Sequence, residues 1–571
     1  MQRDLRALAD TSFDLVVIGG GLFGAFAAWD AALRGLSVAL IERGDVGGAT
    51  SANSFKIVHG GIRYLQHADV YRIRQSSSER RALLRIAPHL VRPLPIVIPT
   101  HGSGLSGRAA LRAGLAAYDL LTPDRNSGLP DPARRVPPGR MWSRATVLER
   151  YRDLVRPDVT GAGVFTDGQF TNPPRLVLAV ARSAAAAGAI VGSYVEATGF
   201  LRRGDAVTGV VARDCLGGGD FEVRAQTVVN AAGPYAETLL TRSGFPLPSP
   251  GTYSRDACFV VPRRLLPDDH ALAILGRTRD PDARLSRGAR HLFIAPWRDY
   301  TLVGTWHRVQ QPGSLDIHVT DDHLAGFVDE VNHSAPGLNL HLADISASYS
   351  GLVPFGENPS GAEDLRYGHR SQLIDHARVH GCANLITLIG VRLTTARFEA
   401  ERAIDLVFRK RARRPPPCRT AITPVQGGDI SDTDALAGNA ERETDHRVPA
   451  QVARQLVGNY GTEFRGLLAE EGERPLDTIG DSTTIRAQVY RAVRSEAALT
   501  LEDVILRRTD LGSGAYPGRE ALEECGVIMA SQLGWTSADV DRQLAAVEAK
   551  FPPWEVARRP AGRPPKGVTC V

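Results

Sequence analysis

Three glycines near the N-terminus have the spacing of a turn that binds pyrophosphate. Gly19, Gly21 and Gly24 follow an apolar, strand-like run and precede a segment with the apolar periodicity of a helix. Glycines at these positions let the backbone turn tightly and approach a pyrophosphate, whose charge is stabilised by the N-terminus of the helix. The next strand ends at Glu42, a carboxylate that can accept hydrogen bonds from ribose hydroxyls. The pattern predicts a dinucleotide site, although the glycines alone would also fit a chance turn.

A loop of small and hydroxylated residues follows this strand. It contains Ala49, Thr50, Ser51, Asn53, Ser54 and Lys56, and the block HGGIRYL occupies residues 59–65. Side chains of this size can donate hydrogen bonds along a pyrophosphate and the edge of an isoalloxazine ring without filling the space of the cofactor. The loop therefore favours FAD over NAD, and a solvated Ser/Thr loop is the alternative when the segment is considered alone.

The composition excludes several classes of protein. With 571 residues, 43% of them hydrophobic and 23% charged, the chain is globular and long enough for two or three domains. The formal charge of +5 is small for this length, and the basic residues are spread out, so we expect no nucleic-acid partner. The six cysteines stand far apart, without metal spacing, which predicts a reducing compartment and no metal site. We find neither a signal-peptide core nor a membrane span, and expect a cytoplasmic protein.

Hydrophobic periodicity divides the chain into parts. A strand–helix–strand unit opens it, alternating helix and strands return over residues 175–230, and short strands with Pro, Asp and Gly turns fill 251–350. A basic, proline-rich break at 409–417 precedes helices with capping boxes at Thr500 and Thr536. The predicted boundaries are 1–100, 161–250 and 351–408 for the dinucleotide-binding domain, 101–160 for a helical segment, 251–350 for an antiparallel sheet, 409–420 for a linker, 421–555 for a helical domain and 556–571 for a disordered tail.

Sequence blocks along most of the chain carry a family resemblance. They are FTDGQFTNPPRLVLA (165–179), VVNAAGPYAE (228–237), FVVPR (259–263), IAPW (294–297), YSGLVPF (349–355), GVRLTT (390–395) and RAVRSEAALTLEDVILRRTDLG (491–512). With the run from GGGLFG to HGGIRYL, they resemble in order the FAD-dependent glycerol-3-phosphate dehydrogenases of the D-amino-acid-oxidase-like flavoprotein superfamily. The resemblance implies an α/β fold with a Rossmann-like FAD-binding domain, an inserted antiparallel-sheet substrate domain and a C-terminal α-helical domain. It also implies non-covalent FAD, a small anionic substrate, sn-glycerol 3-phosphate, and a quinone or other electron acceptor.

The motifs and the resemblance together give the candidate site residues. The candidate cofactor-binding residues are Gly19, Gly21, Gly24, Glu42, Thr50, Ser51, Ser54, Lys56, His59, Gly60, Ala232, Gly233, Gly390, Leu393 and Thr394. The candidate catalytic residues are Arg63 with its neighbour Tyr64, Arg370 and Arg392 as anchors and charge stabilisers, and His59 and His307 as alternative bases.

The chain departs from the family at substrate-facing positions. Val353 stands where the family has an arginine, Arg392 replaces a lysine, Cys258 replaces a histidine, and Trp306 and His307 replace a Thr-Asp pair. Arginine keeps the charge of lysine but differs in shape. For Cys258 we expect a small buried side chain rather than a reactive thiol. Two alternatives stay open: an enzyme of the same fold for a different hydroxylated or amino anion, and a flavin-binding protein without catalytic activity.

Residues 105–121 occupy the place of the family's membrane-docking segment. The segment interleaves arginines with large apolar residues: Arg108, Arg112, Leu111, Leu115, Tyr118 and Leu120. One prediction is peripheral attachment at the inner face of a membrane. The alternative is that this alanine-rich helix packs against its own domain or against a second subunit of a homodimer.

Overall fold

The structure is a computed structural model that describes residues 1–104, 107–247, 252–279, 289–310, 313–355, 371–444 and 447–558. Arg370, two residues of the segment 105–121 and residues 559–571 of the predicted tail lie outside this description. The strands are β1 (Ser12–Ile18), β2 (Val38–Glu42), β3 (Ile57–Val58), β4 (Val91–His101), β5 (Arg140–Ser143), β6 (Val159–Phe170), β7 (Ile190–Ser193), β8 (Val195–Arg203), β9 (Ala206–Asp214), β10 (Asp220–Asn230), β11 (Tyr253–Val261), β12 (Ala271–Arg279), β13 (Ala289–Trp297), β14 (Tyr300–Val309), β15 (Ala347–Pro354), β16 (Gln372–Asp375) and β17 (Leu385–Ile389).

The α-helices alternate with these strands and then fill the C-terminal part. They are α1 (Leu5–Asp10), α2 (Leu22–Leu33), α3 (Val70–Ile86), α4 (Arg108–Leu121), α5 (Arg144–Tyr151), α6 (Pro173–Ala186), α7 (Ala236–Arg242), α8 (Asp321–Ser334), α9 (His376–Val379), α10 (Ala396–Lys410), α11 (Thr433–Glu443), α12 (Ala450–Tyr460), α13 (Phe464–Leu468), α14 (Arg486–Glu496), α15 (Leu501–Asp503), α16 (Arg519–Leu533), α17 (Ser537–Glu548) and α18 (Pro553–Arg558).

The first sheet is the dinucleotide-binding layer. Its order is β16-β17-β10-β1-β2-β7, and β1 runs parallel to both β10 and β2. The interior strand β1 is apolar because both of its faces are covered. On one face α2 contacts α6 and α10, with Phe26, Trp29 and Val407 in the shared core. The predicted hairpin of β9 and β10 is present and continues the sheet through β8.

The second sheet forms the wall opposite the dinucleotide-binding layer. Its order is β15-β11-β14-β13-β12-β4-β6-β3, with β5 paired to β6, and its pairs are antiparallel except β12 with β4. Helix α8 packs on it through Phe327, which meets Phe259 with the ring centroids 5.0 Å apart. The predicted inserted sheet is therefore present.

The predicted boundaries do not follow the two sheets. Strands β3 to β6 belong to the second sheet, although the boundaries 1–100 and 161–250 assigned β3, β4 and β6 to the dinucleotide-binding domain. The reason is the long antiparallel pairing of β4 with β6, which begins at Val91↔Phe170 and extends to His101↔Val159. Alternation within a strand shows which of its faces is buried but not which sheet the strand joins.

The C-terminal part is helical, as predicted. Thr500 and Thr536 cap α15 and α17, and each forms a capping box with the aspartate three residues later. The part docks on the first domain through buried ion pairs. Arg508 contacts both carboxylate oxygens of Asp45 at 2.7 Å, and Arg507 reaches one of them at 2.6 Å. Burial would raise the pKa of Asp45, but Arg508 and Arg507 hold it below its ordinary value.

Helix α4 packs against its own domain. Leu115 is 3% exposed and Tyr118 is 4% exposed, and Leu111 packs beside Gly163 of β6. Leu120 remains 81% exposed. The prediction that the large apolar side chains of this segment form a membrane-docking face is thus wrong for Leu115 and Tyr118, because β6 and the loop at Gly60 already contact them. Among the residues described, no helix combines the length and apolar character needed to cross a bilayer.

Candidate functional site

A cavity of about 750 Å³ lies between the two sheets. The predicted site residues that line it are Gly19, Gly21, Glu42, Thr50, Ser51, Ser54, Lys56, His59, Arg63, Tyr64, Ala232, Gly233, His307, Gly390, Arg392, Leu393 and Thr394. Gly24 and Gly60 stand behind the wall and shape it through their backbone. The structure therefore brings into one cavity nearly all the candidates it describes, from four separate stretches of the chain.

The glycine turn is fixed by close packing of backbone. Gly19 has φ +102°, and a Cβ there would stand 2.7 Å from the Ala231 carbonyl oxygen. A Cβ on Gly24 would stand 1.9 Å from the Gly19 carbonyl oxygen, so α2 could not approach β1 with any larger residue. The Leu22 amide, at the start of α2, donates to Ser51 Oγ at 3.0 Å. The turn, the helix start and the hydroxyl loop thus form one cradle for an anionic group.

Glu42 is held at the end of β2 by two backbone amides. The Gly20 amide donates to Glu42 Oε2 at 2.6 Å, and the Gly44 amide donates to Oε1 at 3.0 Å. Burial raises the pKa of Glu42, and the two amides oppose this shift. The carboxylate faces the cavity, where it can accept hydrogen bonds from the hydroxyls of a ribose.

The other end of the cavity is closed by the segment before α10. Gly390 lies against the ring of Phe23, where a Cβ would come within 2.0 Å of Cζ. Thr394 Oγ1 accepts the His59 amide at 3.0 Å, which ties this segment to the HGG loop. Helix α10 begins directly afterwards, at Ala396, so its positive end is directed at the cavity.

A buried carboxylate supports the loop at His59. Asp167 Oδ1 accepts the Gly60 amide at 2.7 Å and an Arg80 guanidinium N–H at 3.0 Å. Asp167 Oδ2 lies 3.8 Å from His59 Nδ1, and the Tyr118 hydroxyl donates to the Gly60 carbonyl at 2.7 Å. Asp167 and Arg80 are not among the candidate residues predicted from the sequence. The only signal for Asp167 was its place as the lone acid of the block FTDGQF.

A second histidine–aspartate pair lies on the same sheet as Asp167, on strands β11 and β14. His307 of β14 stands opposite Asp256 of β11 in the strand register, and Nδ1 is 2.7 Å from Oδ1. The Ser254 hydroxyl donates to the same Oδ1 at 2.7 Å. Both members of the pair line the cavity. His307 is among the candidates predicted from the sequence but Asp256 is not, because the sequence does not reveal the register of β11 and β14.

Cationic and aromatic side chains gather at one region of the wall. The Arg392 guanidinium donates to the Tyr64 hydroxyl at 2.5 Å, and Arg72 lies 5.3 Å from the centroid of the same ring. Arg63 lines the cavity nearby. Burial lowers the pKa of His291 to about 4, and the charge of Arg63 acts in the same direction. This concentration of positive charge suits an anionic substrate.

Two of the departures from the family resemblance lie on neighbouring strands of the second sheet, Cys258 on β11 and Val353 on β15. Cys258 is 2% exposed, and burial raises the pKa of its thiol to about 11, which agrees with the expected small buried side chain. Val353 lines the cavity, where it presents an apolar surface in place of a guanidinium.

The cavity fits a flavin dinucleotide. At one end, the backbone of Gly19 and Gly21 lines the cavity, and the Glu42 carboxylate can accept hydrogen bonds from a ribose. At the other end, Gly390, Leu393 and Thr394 line the cavity, and the start of α10 can stabilise negative charge on a ring system bound there. Between these ends the loop of hydroxyl groups follows the cavity wall.

The protein families that the chain matches are consistent with a flavin site in this cavity. A family model described as FAD dependent oxidoreductase matches residues 14–392, and one described as the C-terminal domain of alpha-glycerophosphate oxidase matches residues 418–540. The chain belongs to the FAD-dependent oxidoreductase family, and FAD is its cofactor.

Several similar proteins are glycerol-3-phosphate dehydrogenases. The chain is 31% identical to glycerol-3-phosphate dehydrogenase of Synechocystis sp., over 95% of this chain and 97% of that protein. It is 32% identical to glycerol-3-phosphate dehydrogenase 2 of Mycobacterium tuberculosis, over 95% of this chain and 89% of that protein. The crystal structure of glycerol-3-phosphate dehydrogenase from Bacillus halodurans, complexed with FAD, superposes with a TM-score of 0.74 at 24% identity and covers 95% of both chains. This superposition shows the shared fold.

Proposed function

We propose that this enzyme oxidises sn-glycerol 3-phosphate to dihydroxyacetone phosphate. The observation that carries the proposal is the cavity in which a dinucleotide cradle meets Arg63, Arg392 and two histidine–aspartate pairs. The full-length similarity to glycerol-3-phosphate dehydrogenases supports the choice of substrate.

Oxidation of an alcohol requires a base for the hydroxyl proton and an anchor that fixes the carbinol carbon. Bound FAD supplies the acceptor for the hydride. Arg63 and Arg392 are suited to hold a phosphate and to stabilise negative charge on the alcohol oxygen, since guanidinium groups bind such oxygens through charge-assisted hydrogen bonds. The Tyr64 hydroxyl orients Arg392 by accepting its hydrogen bond.

The base is one of two histidines, each beside an aspartate. His307 has the closer partner, because Asp256 lies 2.7 Å from Nδ1 and fixes the ring orientation. The side chain of His59 is more exposed than that of His307. Its partner is more distant, because Asp167 Oδ2 lies 3.8 Å from His59 Nδ1, and Asp167 also neutralises Arg80. Both arrangements can hold an imidazole ready to take a proton.

Variants separate the two bases. We expect His307→Gln or His59→Gln, whichever removes the base, to lower kcat by roughly 10²–10⁴-fold with the flavin spectrum unchanged. Asp256→Asn and Asp167→Asn are the matched variants of the two aspartates. In the pair that contains the base, the aspartate variant should also lower kcat, but by less than the histidine variant. A normal kcat in both histidine variants would exclude a histidine base.

A different small anion is the second candidate substrate. The supporting observation is Val353 on the cavity wall, at the position where the resemblance implies an arginine. Loss of one cation there would relax the requirement for a phosphate and leave room for another hydroxylated or amino anion.

Anaerobic reduction decides between these candidates. We expect sn-glycerol 3-phosphate to bleach the bound flavin, whereas its enantiomer and a panel of hydroxy and amino acids should not. Bleaching by another compound alone would overturn the choice of substrate, and Val353→Arg should then improve turnover of glycerol 3-phosphate. If no compound bleaches a flavin that dithionite reduces, the protein is a flavin-binding protein without dehydrogenase activity.

For the electron acceptor we propose a quinone at a membrane surface. This rests on the family resemblance, because Leu115 and Tyr118 of α4 are buried in the protein itself. Stopped-flow reoxidation by a soluble quinone, compared with oxygen, tests this choice. Faster reoxidation by oxygen would contradict it.

A further inference from the structure

Lysine is rare in this chain. It occupies only positions 56, 410, 550 and 566, while the chain has 68 basic residues in total. The other basic residues are arginines. Arginine stays charged in a protein, whereas a lysine amine can lose its proton when it is buried. A buried lysine in a chain that otherwise uses arginine therefore points to a site where a removable charge is useful.

Lys56 is the buried lysine. It is 2% exposed, and its backbone has φ +62°, in the left-handed region. The amine lies 3.4 Å from the ring centroid of Tyr349 and 4.7 Å from that of Trp297, so two aromatic rings contact it. The Ser54 carbonyl accepts its hydrogen bond at 3.4 Å. Aromatic faces and one carbonyl can accommodate an ammonium group without neutralising it.

No carboxylate contacts Lys56 within the described parts of the chain. The titratable and charged groups around it are the Cys258 thiol, the Tyr349 hydroxyl and the Arg298 guanidinium, which is paired with Asp510 at 2.5 Å. Burial lowers the pKa of Lys56 to about 7, and the charge of Arg298 acts in the same direction. Cys258 gives little compensation, because its own thiol stays protonated at neutral pH. Near pH 7 the amine therefore exists in both its charged and its neutral form.

The position of Lys56 relates this amine to the cofactor site. Lys56 lines the cavity together with Ser54, Cys258 and His59, which flank it in the chain or in space. An isolated cation is unfavourable in such a place because it loses its hydration, and an anion formed nearby would remove the penalty. Hydride transfer to FAD forms such an anion, because it adds two electrons and one proton to the bound ring.

We propose that Lys56 is the internal counter-charge of the reduced cofactor and that it takes up one proton from solvent when FAD is reduced. The inference rests on the reduction of FAD in the proposed reaction, but not on the identity of the substrate. The balance is simple: the substrate gives a hydride to FAD and a proton to the base, and Lys56 gains a separate proton. The negative charge gained on reduction of FAD is then matched by one positive charge gained at Lys56.

The first test is the midpoint potential of bound FAD against pH, in a reductive titration that needs no substrate. Above about pH 7, reduction of the wild type should consume two protons for two electrons, whereas Lys56→Met should consume one. The potential of the wild type should therefore fall with pH about twice as steeply as that of Lys56→Met. The methionine side chain is similar in length to that of lysine and packs well against aromatic rings. Lys550→Met, whose side chain is 50% exposed, is the matched control and should keep the wild-type slope.

Equal slopes for the wild type and Lys56→Met would overturn the proposal. If Lys56→Met does not bind FAD, a second measurement on the wild-type enzyme tests the proposal. Wild-type enzyme labelled with ¹³Cε-lysine should give one signal for each of the few lysines, assigned by Lys→Arg variants at 410, 550 and 566. On reduction with dithionite, the titration midpoint of the Lys56 signal should move to higher pH. An unchanged midpoint would overturn the proposal, and because neither test uses substrate, failure of the proposed activity would leave both results interpretable.

Discussion

At the scale of single residues, the composition of the chain affects how the departures from the family at Arg392 and Val353 are interpreted. Arg392 stands where the family resemblance implies a lysine, but the chain uses arginine for nearly all of its basic positions. The exchange at Arg392 therefore matches the general preference of the chain, and it preserves the charge. Val353 is different, because it removes a charge from the cavity wall. A change of substrate is thus better argued from Val353 than from Arg392.

Arg392 should contribute to binding of an anionic substrate. We expect Arg392→Ala to weaken binding by about 1.5–3 kcal/mol, the usual contribution of a hydrogen bond to a charged group, and to leave the flavin spectrum nearly unchanged. Steady-state kinetics with sn-glycerol 3-phosphate measure the loss as a fall in kcat/KM. Arg392→Lys is the control, since it retains the charge and should lose less. Equal activity of wild type and Arg392→Ala would show that this guanidinium does not contact the substrate.

At the scale of elements, a turn of π-helix at Val504–Arg508 places two neighbouring arginines on one carboxylate. Arg507 and Arg508 both reach Asp45, which lies just beyond the end of β2 and Glu42. The C-terminal helices are therefore fastened directly behind the ribose end of the cavity. Removal of one partner from a buried ion pair leaves an uncompensated charge.

Asp45→Asn should consequently destabilise the protein by about 3–5 kcal/mol. Thermal unfolding should show a lower Tm, and the variant should lose FAD more readily because Glu42 lies close by. Asp220→Asn is the matched control: it removes the same charge from an exposed pair with Arg213, so its Tm should equal that of the wild type. Equal melting of both variants would show that the buried pair does not hold the domains together.

Helix α4 offers a similar comparison. Leu115→Asp introduces a charge into the core between α4 and β6, whereas Leu120→Asp introduces it at a position that is 81% exposed. We expect the first variant to lose several kcal/mol of stability, roughly 3 or more, and the second to unfold like the wild type. Thermal melts followed by circular dichroism measure both. If Leu120→Asp were the less stable protein, the helix would present its other face to the domain.

At the scale of the whole molecule, the cavity belongs to neither sheet alone. The first sheet supplies Gly19, Glu42 and the segment before α10, and the second supplies His307 and Asp256. The C-terminal helices contact the first domain through the ion pair of Arg508 with Asp45. Cofactor and substrate positions therefore depend on the docking of all three parts.

This assembly predicts that FAD is held only by non-covalent contacts. Unfolding by heat or acid separates the two sheets, and we expect it to release free flavin into the supernatant after the protein is precipitated. Absorbance of the supernatant measures the released fraction. Yellow colour that stays with the denatured pellet would indicate a covalent bond to the chain.

The sequence by itself determined the parts of this protein whose cause is local. The spacing of Gly19, Gly21 and Gly24, the strand end at Glu42 and the capping boxes at Thr500 and Thr536 act between neighbouring residues, so they could be predicted without a structure. The family resemblance added Arg63, Arg392 and the order of the domains in the same way, because it is carried by short blocks. The alternation of helix and strand also indicated the α/β class.

The tertiary structure decided which distant residues meet. Asp256 became the partner of His307 through the register of β11 and β14, and Asp167 became the partner of Arg80 through the packing of α3 against β6. The same holds for α4, because an amphipathic pattern specifies that one face is apolar but not whether protein or lipid covers it. These outcomes depend on contacts between segments that are far apart in the chain, and the free energy of such contacts is set by the folded arrangement rather than by either segment alone.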